Sequence, residues 1–235
     1  MKKLAFILFA LISIAAKAQT AEEVVDNYGK YMGGLDAFHK IQTLKLTGNF
    51  STQGIDLPLN IQIINGRAVR SDVEYNGQVI TSAYIDGKGW KVNPLQGVDQ
   101  PTDVEGTELT DLKSQATIST GLMDYKANGN AIVLVGQEDV EGVKAFKIKM
   151  TAKEDKRETT YWISTKDYSM VKSSTSREMM GQNVDVETVY SNAKQYGGVQ
   201  FYLTRTQSVQ GQVVQTITIT NVEVNPAIDP KVFAK

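Results

Sequence analysis

The chain has 235 residues, 25 lysines and arginines against 26 aspartates and glutamates for a net charge of −1, and no cysteine. The charge balance excludes the electrostatic footprint of a nucleic-acid binder. The missing cysteine excludes a disulfide framework, thiolate chemistry and the lipobox residue by which an exported chain is acylated.

Lys2 and Lys3 precede an apolar run from Leu4 to Ala15, and Ala16-Lys17-Ala18 has the small-residue form of a leader cleavage site. The run is about a dozen residues, short of the roughly twenty needed to cross a bilayer. The sequence therefore predicts a cleaved signal peptide over 1–18 and an exported chain over 19–235, soluble after cleavage and not membrane-spanning. A length of this order suits one β sandwich or barrel with a core of its own.

Thr20 and Glu23 have the spacing of a capping box, and Val24, Tyr28 and Tyr31 recur on one helical face until Gly33-Gly34. A short second helix is expected from Leu35 to Lys40. From Thr43 the hydrophobic period becomes two. Leu44, Leu46 and Phe50 alternate with polar residues, as do Leu57, Leu59, Ile61 and Ile63. Asn65-Gly66, Asn76-Gly77 and Asp86-Gly87 mark turns, since these residues tolerate positive φ. They divide Ile55 to Val92 into four strands.

Pro94 to Gly106 carries two prolines and three acids and reads as a loop; Leu109, Leu112 and Ala116 then suggest a helix. Strands resume over 131–135, 146–150, 159–163, 170–177, 184–190, 199–206 and 213–224, with turns at Glu141-Gly142, Gly181-Gln182, Gly197-Gly198 and Gly211-Gln212. The expected total is eleven or twelve strands. So wide a sheet must curl or split. A closed or half-closed barrel above eight strands is too wide for its own side chains to fill, so the helices are the natural plug. The space left would be apolar, and Leu57, Leu59, Ile61, Trp90, Leu112, Phe146, Ile148, Met150, Trp162, Met170 and Phe201 are its candidate lining.

Catalytic and metal chemistries find little support. His39 is the single histidine, which leaves no Ser-His-Asp or Cys-His arrangement and no metal set, and no cofactor motif is present. Asp185 and Glu187 share a strand face, a spacing that could serve glycoside hydrolysis, but the face opposite Val184 and Val186 reads as the solvated one. Arg70, Asp72 and Glu74 read as an exposed charge ladder. Gly87-Lys88-Gly89 lacks the helix and the Lys-Ser/Thr pair of a phosphate loop. In an outer-membrane barrel, Lys147 and Lys149 would face lipid at roughly 2–4 kcal/mol each.

Tyr31-Met32-Gly33-Gly34-Leu35-Asp36-Ala37-Phe38-His39-Lys40-Ile41 followed by Thr43-Leu44-Lys45-Leu46-Thr47-Gly48 resembles exported outer-membrane lipoprotein-sorting-like proteins, related to the carriers LolA and LolB. Gly197-Gly198-Val199-Gln200-Phe201 and Asn225-Pro226-Ala227-Ile228-Asp229 before Phe233 resemble them too. The resemblance implies a mainly β fold, a strongly curved antiparallel sheet or incomplete barrel closed by helices over an acyl-chain cavity, in one LolA-like domain over 19–235. With the mismatch between sheet width and filling, it points to a non-enzymatic periplasmic carrier of lipid or lipoprotein acyl chains; the expectation is a monomer with Pro94 to Met123 as a movable lid. The alternative is a cell-envelope interaction module that docks a protein partner through exposed strand edges or the acidic loop.

Overall fold

The computed structural model describes residues 19–179 and 182–235; the leader expected over 1–18 and the turn expected at Gly181 lie outside the described residues. Helix α1 (Ala21–Tyr31) starts at the expected capping box. The Thr20 hydroxyl accepts the Glu23 N–H and the Glu23 carboxylate accepts the Thr20 N–H, both at 3.1 Å. Gly33 ends this segment at φ 107°, lying so close to the backbone of Gly198 that a Cβ would stand 2.4 Å from that carbonyl. A five-residue helix α2 (Leu35–His39) follows.

Six strands then meander outward: β1 (Thr43–Thr52), β2 (Ile55–Ile64), β3 (Ala68–Tyr75), β4 (Gln78–Ile85), β5 (Lys88–Asn93) and β6 (Val98–Val104). Helix α3 (Gly106–Gln115) and a run of turns lead to β7 (Ala131–Val140), at the opposite edge. The chain then returns through β8 (Val143–Thr151), β9 (Glu158–Ser164), β10 (Met170–Met179), β11 (Gln182–Tyr196), β12 (Val199–Val209) and β13 (Gln212–Val224). All thirteen strands form one sheet in the order β6-β5-β4-β3-β2-β1-β13-β12-β11-β10-β9-β8-β7, and every neighbouring pair is antiparallel. The sheet is not closed, because β6 and β7 stand at its two ends.

Two expectations need correction. Val98 to Val104 is not a loop: it pairs with β5 as an edge strand and raises the count to thirteen. An edge tolerates Pro101 because one side of it needs no ladder hydrogen bonds. The turn between β12 and β13 is centred on Gln210 (φ 51°) and Gly211 (φ 77°), one residue before Gly211-Gln212. Elsewhere Asn76-Gly77, Asp86-Gly87 and Glu141-Gly142 all take positive φ at both positions, the form that matches strand twist.

Strand alternation sorts the side chains onto two faces. Val24, Val25, Tyr28, Phe38, Leu44, Leu59, Ile63, Val69, Leu112, Ile148, Ile163, Leu203 and Ile219 are buried in one continuous core between the helices and the sheet. The other face is covered in patches. At β3 and β4 it carries the C-terminal 3-10 turn Pro230–Phe233. There the Arg70 guanidinium donates to the Val232 carbonyl at 2.8 Å, the Trp90 indole donates to the Phe233 carbonyl at 2.8 Å, and Phe233 is fully buried. Arg70 and Asp72 are thus a half-buried clamp, hydrogen-bonded at 2.8 Å, rather than an exposed ladder.

Two glycines test the packing in opposite senses. A Cβ at Gly48, where β1 shifts register against β13, would lie 2.0 Å from the Thr218 carbonyl oxygen. Gly48→Ala is expected to lower urea-unfolding stability by about 3 kcal/mol, at the upper end of overpacking costs. Gly29 lies inside α1 with nothing within 4 Å of its missing Cβ, and Gly29→Ala should raise stability by about 1 kcal/mol.

Candidate functional site

The helix-bearing face is the candidate. Its filling is uneven along the strands. At the end near α1 and α2, Phe38, Ile41, Leu44 and Val199 are at most 2% exposed. Toward the hairpin tips at Gln53-Gly54, Asn76-Gly77 and Gln210-Gly211 the same face is less covered. Phe50, Ile61, Val73, Tyr190 and Ile217 are only partly buried against the core, and Ile55 is 45% exposed. The register aligns Leu57, Phe50, Ile217, Arg205 and Tyr190 in one row across β2, β1, β13, β12 and β11. Arg205 therefore shares the apolar face, and none of the salt bridges among the described residues includes it.

Hydroxyls rather than charges line the middle of this face. Tyr28 of α1 donates to Thr120 at 3.5 Å, Tyr190 and Ser173 share a hydrogen bond of 3.0 Å, and the Tyr202 oxygen accepts the Met170 N–H at 2.6 Å. Burial pushes the phenols of Tyr28, Tyr161 and Tyr202 up, away from ionisation. These three phenols are thus uncharged at neutral pH.

Helix α3 lies across the face at its other side. Gly89 allows it close approach, since a Cβ there would stand 2.9 Å from Leu109 Cδ1. Lys91 of β5 holds Glu108 at 2.8 Å. Asp111 on the same helix accepts from Arg157, just before β9, at 2.6 Å and from Arg177 of β10 at 3.0 Å. Burial works against the Arg157 charge, but the Asp111 carboxylate outweighs it and holds the guanidinium protonated.

Of the expected lining, Leu59, Leu112, Phe146, Ile148, Met150 and Met170 are buried together in the core, and Ile61 and Phe201 lie half-buried against it. Leu57 is buried opposite Phe50, nearer the tips. The two tryptophans lie elsewhere. Trp90 sits under the C-terminal turn, and Trp162 forms a small cluster with Val140 and Ala145 on the face away from the helices. Both follow from strand parity, because Gly89 faces α3 while Tyr161 and Ile163 take the core side. Asp111, Arg177 and Arg205 were not singled out from the sequence. Their parity relative to Thr175, Leu203 and Gln207 is the signal that places the two arginines on this face.

The carboxylates and the histidine have structural occupations. Glu187 accepts from Lys172 at 2.8 Å, Asp185 is exposed, and His39 is exposed 3.8 Å from Asp124. Among the described residues no group of three His, Cys, Asp or Glu is placed to hold a metal, and no helix is long and apolar enough to cross a membrane. Two open clefts lie off the helix-bearing face. One of about 390 Å³ runs along the exposed side of α1, and one of about 580 Å³ is bordered by Glu138, Lys172, Glu187 and Val213.

No protein-family model and no curated protein matches the sequence. The fold does have counterparts among solved structures. A LolA superfamily protein from Nitrosomonas europaea superimposes with a TM-score of 0.61 at 10% identity, over 93% of this chain and 99% of that one. A structure assigned as an outer membrane lipoprotein-sorting protein domain from Vibrio parahaemolyticus gives 0.59 at 9% identity, over 90% and 95%. A DUF1329 family protein from Desulfovibrio piger gives 0.61 at 12%, over 92% and 98%. The chain therefore has a LolA-like fold over nearly all of its described length.

On the outer cluster, the Trp162 indole and then Lys147 donate to Glu138 and hold its carboxyl below the usual range. A depressed folded pKa means that the stabilisation is fully present above the ordinary glutamate value of about 4.3 and is lost as pH falls through the lower folded value. The chain has two tryptophans, so the Trp162 indole N–H resonance is readily followed by NMR. It should shift with a midpoint below pH of about 4.3, and the transition should vanish in Glu138→Gln.

Proposed function

We propose that this chain is a non-enzymatic, periplasmic binding or carrier protein that shelters an apolar ligand, a lipid or a lipoprotein acyl chain, between its sheet and its helices. The reading treats residues 19–235 as one soluble domain, exported by the leader at 1–18. Its main support is the inward-facing apolar side chains Phe50 and Ile217, neighbours in one row, left partly uncovered at one end of an otherwise buried face. A face with that much greasy surface open to water gains by taking in a greasy partner, at about 25 cal/mol per Å² covered.

The sheet is read as an incomplete barrel. Asp111 is bonded to Arg157, which precedes β9, and to Arg177 of β10, while its own helix lies on β3, β4 and β5. Those strands stand far apart in the order, and in a flat sheet each step adds about 4.8 Å. One helix with contacts to both groups of strands supports a sheet that bends around it. The lid in this reading is α3 and the turns that follow, since β6 is fixed in the sheet by its ladder to β5. Asp111 is the latch. Arg205, on the same face without an acidic partner, suits a carboxylate or phosphate head group at the mouth.

Binding of cis-parinaric acid, a fluorescent fatty acid, tests the reading directly. Saturable binding is expected, and Ile217→Trp, which fills the row, should weaken it about tenfold, equivalent to 1.4 kcal/mol, without a comparable loss of thermal stability. Native mass spectrometry of chain recovered from a periplasm should show co-purifying lipid. Lack of saturable binding together with an empty protein would overturn the proposal. Asp111→Ala should quicken both uptake and release of the probe in stopped-flow traces, and unchanged rates would remove α3 as the lid.

A further inference from the structure

The two edges of the sheet are built differently. Edge β6 is seven residues long and carries Asp99, Pro101 and Asp103, the features that prevent strand addition. Edge β7 carries neither proline nor charge over Ala131-Ile132-Val133-Leu134-Val135, and its ladder to β8 is regular up to Leu134, with a bulge at Val135. Val133 and Val135 are 57% and 55% exposed on the face away from the helices, while Ile132 and Leu134 turn to the core side. Among the described residues the backbone of β7 bonds only to β8. Helix α1 approaches β7 without a backbone hydrogen bond to it.

We propose that β7 pairs antiparallel with β7 of a second copy of this chain, about a two-fold axis through Val133. Pairing of this kind sets Val133 against its own copy, Ile132 against Leu134, and Ala131 against Val135, so every apolar side chain of the run meets another on the same face. The charges at the two ends agree. In an antiparallel pair the segment that follows the run in one copy lies toward the segment that precedes it in the other. Glu138, Asp139 and Glu141 thus approach the end where Lys153 lies against Gly129 and where Lys126 is exposed. A parallel arrangement would instead set acid on acid. The blunt β6 edge stops growth beyond two copies, because an added copy finds no second open edge, and the association closes as a dimer.

The register gives a sharp test, because the chain has no cysteine of its own. Only the residue on the axis meets its own copy at disulfide distance, whereas residues two places away stand about 13 Å from theirs. Oxidation of Val133→Cys should give a covalent dimer in high yield, and Ala131→Cys and Val135→Cys should stay monomeric under the same conditions. Val133→Lys should convert the wild-type dimer to monomer in sedimentation equilibrium without lowering its melting temperature. A monomeric wild-type chain, or equal cross-linking yields at the three positions, would overturn the proposal. Dimers that persist in Val133→Lys would overturn it as well, by placing the contact elsewhere.

Discussion

One constraint governs the rest of the molecule: alternation along thirteen strands commits most of one sheet face to apolar side chains, and among the described residues only three α-helices are available to cover it. The longest of these has eleven residues, about 16 Å at 1.5 Å per residue. So little helix cannot cover a flat sheet of this width. The chain meets the shortage in two ways. It concentrates α1 and α2 at one end of the strands, where burial is complete, and it sends α3 across the other side, tied to both halves of the sheet by Lys91–Glu108 and by the Asp111 fork. The uncovered remainder, around Phe50 and Ile217, follows from the same arithmetic of faces and fillers.

Connectivity strengthens the point. Strands consecutive in the chain are neighbours in the sheet with one exception, β6 and β7, where the segment of residues 105–130 carries the chain from one edge to the other. It is anchored midway, since Gly66 donates to the Ala116 carbonyl at 2.8 Å and Asn65 accepts the Ile118 N–H at 3.1 Å. The segment that spans the apolar face is therefore the one that stands outside the ladder of the sheet.

Much of this fold was legible in the sequence, and the parts that were not have physical reasons. Period-two alternation places Leu44, Leu59 and Ile148 on the buried face directly, and Thr20 with Glu23 gives the start of α1 to the residue. Strand β6 was hidden because Pro101 and its acidic neighbours are what an edge strand needs and also what a loop contains. Trp162 was ambiguous because Tyr161 and Ile163 beside it are apolar too, so parity could not be read locally. Arg205 looks like any surface cation until pairing with Tyr190 and Ile217 fixes its face. The Asp111 fork joins residues that are distant in sequence, and no local pattern announces it.

The outer face supplies the counterpart to α3. After β13 the chain crosses behind β1, where the Thr43 hydroxyl donates to the Pro226 carbonyl at 2.6 Å and Asn225 accepts the Gln42 N–H at 2.7 Å. It then reaches β3 and the Trp90 side chain of β5 through Val232 and Phe233. This strap runs across the strands rather than along them, so it ties β13 to β5 independently of the ladder between. A tie on the outside and a latched helix on the inside hold the same half of the sheet from both faces. Among the described residues the β7 to β9 half has no strap, and its outer side carries the small cluster of Val140, Ala145 and Trp162. Any opening of the sheet should therefore be borne by that second half, where the Arg157 and Arg177 contacts to Asp111 are the first to be stretched.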